Sequence, residues 1–328
     1  MYDIITFGSA TIDIFLKPEG FKILKKKDFS TGKGICFPTG SKIDIKDIFF
    51  ATGGGGTNTA ATFAKQGFSV AYCGSVGDDL GGQKIIEELR QLGIDTQFVL
   101  KTRDKNTNHS IVFTTLTERE DRTILVYRGA SDVLNEKDIP WQNLKAKWLY
   151  LAPLSGKLGD LFEKLVDFAK NNNIKVAVNP GNCQLSLPVK DLKRILKKVD
   201  ILILNQEEAA FLTKIPYQKE KEIFKKIDEV CDGVAIMTKG ERGVTVSDGK
   251  NLYRSKPIIG KVVDRTGAGD SFASGFISGF VQSDGNIEYS IQLAMANSSS
   301  CLKQLGAKNG LLKNGDAFEK VKVEKETI

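Results

Sequence analysis

The sequence predicts an α/β three-layer sandwich, with a mostly parallel sheet, helices on both faces and a small β lid. Three observations lead there. Short apolar runs alternate with amphipathic stretches over 148–237, the pattern of βαβ units and a parallel sheet. An opening apolar run at 3–8 stops at Gly8, as a buried strand does. Two polar, strand-rich stretches, 15–51 and 97–128, interrupt the pattern and read as the lid.

Taken in order, 3–8 is the first core strand. The 15–51 stretch alternates weakly, as in Ile43-Asp44-Ile45-Lys46, and is rich in Lys, Gly and Phe. That suits exposed strands and turns. From 57 to 67 the spacing is helical, 70–73 is a strand, and 83–91 is a helix ending near Gly93. After the second lid stretch, strands at 148–151, 176–178, 201–204 and 234–237 alternate with helices at 158–169, 192–196, 207–212 and 220–230. No repeat, low-complexity tract or disordered linker divides the chain, so 1–328 reads as one domain carrying the two lid segments. Ligands in such a sheet bind beyond the C-terminal ends of the strands. Asn179, Asn205, Glu208, Thr238 and Lys239 stand there.

Composition removes several function classes. A chain of 328 residues with 41% hydrophobic and 27% charged residues can bury a large core without staples. The net charge of +7 is mild and suits an anionic ligand such as a nucleotide. The runs Lys25-Lys26-Lys27 and Lys197-Lys198 have no interleaved aromatics and read as solvated surface, not as a nucleic-acid site. Cys36, Cys73, Cys183, Cys231 and Cys301 form no CxxC pair, which argues against structural zinc and a disulfide framework. Free thiols point to a reducing, cytoplasmic setting. No apolar run is long enough to span a bilayer. Asp3 and Asp13 interrupt the first apolar stretch and no basic leader precedes it, which reads against a signal peptide. The single histidine, His109, lies in a polar stretch and reads as an ordinary loop residue. Catalytic triads and multi-histidine metal sites would all have to use it.

Three clusters carry chemistry. Gly53-Gly54-Gly55-Gly56 followed by Thr57-Asn58-Thr59-Ala60 lets a ligand approach the backbone and leaves free N–H groups at a helix start. The plainer reading is a flexible turn with an Asn cap. There is no G-x-G-x-x-G and no G-x-x-x-x-G-K-[ST], which argues against a dinucleotide dehydrogenase and a P-loop ATPase. Asp264-Arg265-Thr266-Gly267-Ala268-Gly269-Asp270 is a glycine-broken turn leading into a helix of small residues. Its N-terminal N–H groups and macrodipole can hold the charge of a transferring phosphoryl group. An acid in the same turn can take a proton from an attacking hydroxyl. The alternative is an ordinary helix start with tight packing. Asn205 and Glu208, three apart, share one helical face. They either hold Mg²⁺ through water or form a simple capping box.

Taken together and in this order, these segments resemble the ribokinase (PfkB) family of carbohydrate kinases over essentially the whole chain. Gly53, Gly54, Gly56, Asn58 and Ala60 match its N-terminal signature, and Gly77, Asp79 and Gly82 its G-x-D-x-x-G. Asn205 and Glu208 match its N-x-x-E, 238–243 its nucleotide turn, and 264–270 its D-x-T-G-A-G-D. The resemblance implies a ribokinase-like fold and ATP-dependent phosphorylation of a hydroxyl on a small sugar-like substrate. Asp270 would be the base, and Gly267, Ala268 and Gly269 the anion hole. Asp13, Gly54, Gly55 and Asn58 would bind the acceptor. Asn205, Thr238, Lys239, Gly240, Arg242 and Gly243 would bind the nucleotide. Glu208 would hold Mg²⁺ through water, and Asp264 and Thr266 a monovalent cation such as K⁺. A homodimer through the lid also fits the resemblance, with no nucleic-acid or membrane partner.

The chain departs from the family in three places. Arg265 stands where Thr is common. Ala152-Pro153 stands where ribokinases carry a sugar-contacting Glu, which argues against ribose. Met295 stands where many members carry an Asn near adenine, with Asn297 two positions on. A nucleoside kinase of the same fold and a non-catalytic sugar-binding relative are the alternatives.

Overall fold

The computed structural model describes residues 1–29, 32–113 and 122–327. Positions 30–31 and 114–121 of the two expected lid stretches lie outside the described residues. In chain order the elements are β1 (Tyr2–Phe7), β2 (Thr11–Pro18), β3 (Lys22–Lys25), β4 (Lys33–Cys36), β5 (Ile45–Gly53), α1 (Gly55–Lys65), β6 (Val70–Gly77), α2 (Leu80–Gln91), β7 (Val99–Thr102), β8 (Asn108–Phe113) and β9 (Thr123–Tyr127). There follow β10 (Ala146–Leu151), α3 (Gly156–Asp160), α4 (Phe162–Asn171), β11 (Lys175–Val178), α5 (Asn182–Leu185), α6 (Val189–Leu196), β12 (Ile201–Asn205), α7 (Gln206–Thr213), α8 (Glu220–Asp228) and β13 (Val234–Thr238). The chain ends with β14 (Val244–Ser247), β15 (Asn251–Ser255), α9 (Ala268–Gln282), α10 (Ile287–Cys301) and β16 (Val323–Thr327).

The main sheet has ten strands in the order β16-β15-β14-β13-β12-β11-β10-β1-β6-β7. It is parallel from β7 to β13 and antiparallel over β14–β16. Side chains alternate between two cores, as a sheet covered on both faces requires. Phe7, Leu149 and Leu151 pack on one side with Leu165, Ile195 and Phe224. Ile4, Trp148 and Tyr150 pack on the other with Phe63, Phe276 and Ile291. The three-layer expectation holds.

The lid is a second sheet in the order β5-β2-β8-β9, beside a β3–β4 hairpin. Its bounds differ from the expected ones. β7, inside the 97–128 stretch, pairs in parallel with β6 and extends the main sheet. Asp79 explains the G-x-D-x-x-G motif. Its Oδ1 accepts from the Gly82 N–H at 2.8 Å, capping α2, and from Thr107 Oγ1 at 2.6 Å. One carboxylate thus fixes a helix start and the loop entering β8. His109 lies on β8, not in a loop, with Nδ1 2.8 Å from the Thr107 carbonyl oxygen. All five cysteines are free thiols. No helix among the described residues is long and apolar enough to cross a membrane.

Candidate active site

The site begins at the start of α9. Gly267 is left-handed, with φ 75°. A Cβ there would stand 2.4 Å from Ala307 Cβ, so the turn requires glycine. The Ser271 N–H closes the turn on the Gly267 carbonyl at 2.8 Å. The N–H groups of Gly269 and Asp270 have no partner among the described residues. They and the macrodipole give this helix of 15 residues an end that can hold an anion. Asp270 stands in its first turn, and its Oδ2 accepts from Asn58 Nδ2 at 2.8 Å. Burial pushes the Asp270 carboxyl above its ordinary range and the Asp13 charge adds to this, while Asn58 and the Lys308 ammonium pull it down. Burial thus outweighs the Asn58 donor, and a carboxyl shifted upward in this way can in principle exchange a proton with a bound hydroxyl.

Beside Asp270 lies the N-terminus of α1. Gly54 caps it with φ 98°, and a Cβ there would stand 2.4 Å from the Ser9 carbonyl oxygen. A Cβ on Gly55 would lie 3.1 Å from Ala152 Cβ and 3.6 Å from Asp270 Oδ1. Gly55 and Ala152 therefore border Asp270, and no acid follows β10. Asp13 reaches in from lid strand β2, its Oδ1 accepting from Ser110 Oγ at 2.5 Å. Burial raises its pKa. The residues expected from the sequence to bind the acceptor thus gather around Asp270, with Asn58 bonded to its carboxylate. Asn58 Oδ1 is buried without a partner among the described residues.

On the other side of Ala268 and Gly269 a cavity of about 450 Å³ opens. Thr238, Gly240 and Gly243, three of the residues read as nucleotide-binding, line it together with Arg265 and Met295. Sequence reasoning missed Phe272, Ser298 and Ile258, which also line the wall. They are single residues on a loop and two helices with no local signature. Lys239 turns away from the cavity, its Nζ donating to Glu220 Oε2 at 2.7 Å and Thr245 Oγ1 at 2.8 Å. Neither Arg242, bonded to Gln206, nor Asn205 is in the wall. Asn297 is in the core, donating to the Ser271 carbonyl at 2.8 Å. Arg265 pairs with Glu241 at 2.6 Å at an exposed edge of the cavity.

Asn205 and Glu208 form a reciprocal capping box. Asn205 Oδ1 accepts from the Glu208 N–H, and Glu208 Oε2 from the Asn205 N–H, each at 2.8 Å. The cap uses one oxygen of Glu208 and leaves the other for a hydrated cation. Burial raises the Glu208 pKa, a penalty that a nearby dication would offset. The Tyr150 hydroxyl is buried without a hydrogen-bond partner among the described residues. Burial, then Asp270, then Glu208 push its pKa well up, so both carboxylates lie around it. These residues fit Mg²⁺ held through water.

Asp264 and Thr266 do not fit a monovalent cation. Asp264 Oδ1 and Thr266 Oγ1 accept from Arg122 Nη1, at 3.0 and 2.6 Å. A full positive charge already stands where the ion is expected.

Comparison with known proteins agrees with this geometry. The model of the pfkB family of carbohydrate kinases matches residues 1–314. A ribokinase of Lactococcus lactis is 30% identical over 290 residues, covering 86% of this chain and 90% of that protein. The structure of Arabidopsis thaliana ribokinase complexed with ribose and ATP superposes with a TM-score of 0.77 at 23% identity, over 95% of this chain and 96% of that one. The structure of a nucleoside kinase from Methanocaldococcus jannaschii, an archaeal member of the ribokinase family, gives 0.75 at 22% identity, over 95% of each chain. With the fold, the glycine turns and a match along nearly the whole chain in agreement, this protein belongs to the pfkB family of carbohydrate kinases and is a sugar or nucleoside kinase.

Proposed function

We propose that the chain transfers the γ-phosphoryl group of ATP to a hydroxyl of a small sugar-like acceptor other than ribose, with Asp270 as general base. The observation that carries this reading is the position of Asp270. It stands in the first turn of α9, between the cavity wall at Ala268 and Gly269 and the acceptor wall at Gly55, with Asn58 orienting its carboxylate.

The acceptor hydroxyl oxygen forms a bond to the γ-phosphorus, and the bond from that phosphorus to the β–γ bridging oxygen breaks. The hydroxyl proton goes to Asp270, and ADP leaves with the bridging oxygen. Gly267 opens the turn so that the N–H groups of Gly269 and Asp270 face the negative charge on the moving group. Asp13 and Asn58 orient the hydroxyls. Thr238, Gly240 and Gly243 accommodate the nucleotide through backbone and small side chains. Glu208 would hold Mg²⁺ through water, and the ion, when bound, neutralises phosphate charge. Ala152 and Pro153 offer no carboxylate to a sugar, which reads against ribose. The test is ADP formation across a panel of hexoses, pentoses, sugar acids and nucleosides, with the product identified by mass. No turnover with any hydroxyl acceptor would overturn the reading.

A nucleoside acceptor is the second reading. Val126 shares a lid face with Asp13 and Ser110 by strand register and is exposed, so an apolar surface for a base lies beside the expected hydroxyl contacts. On the opposite lid face Phe50, Leu125 and Tyr127 are 62%, 53% and 47% exposed, which supports pairing of two chains through the lid. Lys197 and Lys198 pair with Asp232 and Asp167, which supports a surface role for that run.

A further inference from the structure

The turn that leads into the anion hole is held by a residue from the lid. The Asp264 side chain is only 7% exposed. Its Oδ1 accepts from Arg122 Nη1 at 3.0 Å, the Thr266 N–H at 2.9 Å and Thr266 Oγ1 at 2.7 Å. Its Oδ2 accepts from the Gly306 N–H at 3.0 Å. Thr266 Oγ1, while donating to Asp264, accepts from Arg122 at 2.6 Å. Both carboxylate oxygens and the hydroxyl are therefore supplied with donors, and the carboxylate charge is matched by a guanidinium.

A guanidinium stays charged at any accessible pH. A monovalent ion sharing these oxygens would have to displace it or stand beside it in a poorly hydrated place, where like charges repel strongly. Arg122 immediately precedes β9 of the lid, and Thr266 immediately precedes Gly267 and the start of α9. The contact thus joins lid and anion hole across 142 and 144 positions of sequence.

We infer that Arg122 is this chain's own cation at the Asp264–Thr266 turn, a positioning residue that sets the anion-hole loop from the lid and makes the enzyme indifferent to K⁺. The inference rests on the reading of Gly267, Ala268 and Gly269 as the anion hole. Removing Arg122 would leave a nearly buried carboxylate without its counter-charge, in a place that a small cation can fill and a large one cannot.

The test compares wild type, Arg122→Ala and Arg122→Lys in KCl, NaCl and choline chloride, each at about 0.15 M. Thermal melting and MgADP affinity by calorimetry are the readouts. For wild type, the melting midpoint and the MgADP dissociation constant should be the same in all three salts. Arg122→Ala should melt several degrees lower in choline chloride and bind MgADP several-fold more weakly, with KCl or NaCl restoring part of both. Arg122→Lys keeps the charge and should stay indifferent to the salt. A wild type that K⁺ stabilises, or whose MgADP affinity K⁺ improves several-fold over choline, would overturn the inference. So would an Arg122→Ala variant matching wild type in every salt. If Arg122→Ala does not fold, wild type and Arg122→Lys decide alone. No acceptor is present in these measurements, so a failure of the kinase reading on the acceptor panel is a separate result.

Discussion

Asn58 Nδ2 donates to Asp270 Oδ2 at 2.8 Å across 212 positions of sequence, joining the starts of α1 and α9. The bond favours the ionised carboxylate against the burial that disfavours it. On the proposed general-base role Asp270 must be ionised to accept a proton, so turnover should fall as pH drops through its pKa. In Asn58→Ala the carboxylate loses its donor and its pKa rises further. The acidic limb of kcat against pH should therefore move to higher pH, and acceptor KM should rise more than ATP KM. A pH–rate profile of both proteins checks this, and an unmoved limb would detach Asn58 from the base.

Glu208→Gln keeps an oxygen to accept from the Asn205 N–H, so the cap of α7 survives while the charge is lost. The Mg²⁺ concentration for half-maximal rate should rise by roughly 10-fold or more, with the melting midpoint little changed. A titration of rate with Mg²⁺ tests this, and the same half-maximal concentration in both proteins would remove Glu208 from the ion's surroundings.

Two glycines of one turn should respond differently. Gly267→Ala places a Cβ 2.4 Å from Ala307 Cβ at φ 75°, and should destabilise the fold by about 1–3 kcal/mol. At Gly269 an added Cβ meets nothing within 4 Å, so Gly269→Ala should melt like wild type. Gly269 lines the cavity proposed for the nucleotide, and its variant should instead bind MgATP more weakly. Melting and calorimetry on the two variants separate the effects.

Lys239 belongs to a partly buried network with Glu220, Thr245 and, through Glu220, Arg254. Lys239→Met should lower stability by about 1–2 kcal/mol, the scale of charged hydrogen bonds, and leave ATP KM within about twofold, since one lost contact is worth more than that. Denaturant unfolding and initial rates check the two halves. A large rise in ATP KM would return this side chain to the nucleotide.

What could be read from the sequence was contiguous. The runs that became β1 and β10 are apolar because both faces of the sheet are covered, and such runs stand out in any sequence. The turns at 53–56 and 264–270 carry their chemistry in consecutive residues. The strand Val99–Thr102 reads as part of the lid in the sequence because an edge strand with two apolar residues looks like any exposed strand. Lys239 follows a core strand at the right end of the sheet, yet its partner Glu220 lies across on α8. Pairings such as Asn58 with Asp270, or the buried Lys308 with Thr52 at 2.5 Å across 256 positions, are set by the fold. No local spacing encodes them.

Asp270→Asn bears most directly on the central claim. The folded state holds the Asp270 pKa above its unfolded value, so the native protein binds more protons and wild-type stability falls as pH rises from the ordinary aspartate range through the raised pKa. The asparagine variant lacks that loss. It should melt at or above wild type at neutral pH, with the difference shrinking in acid. Acceptor and MgATP dissociation constants should change little, while turnover should drop by roughly two to four orders of magnitude, the range of a general base. That combination of a sound fold, intact binding and lost turnover is the predicted result. A well-folded Asp270→Asn protein retaining more than about a tenth of wild-type turnover would contradict a general-base role of that size.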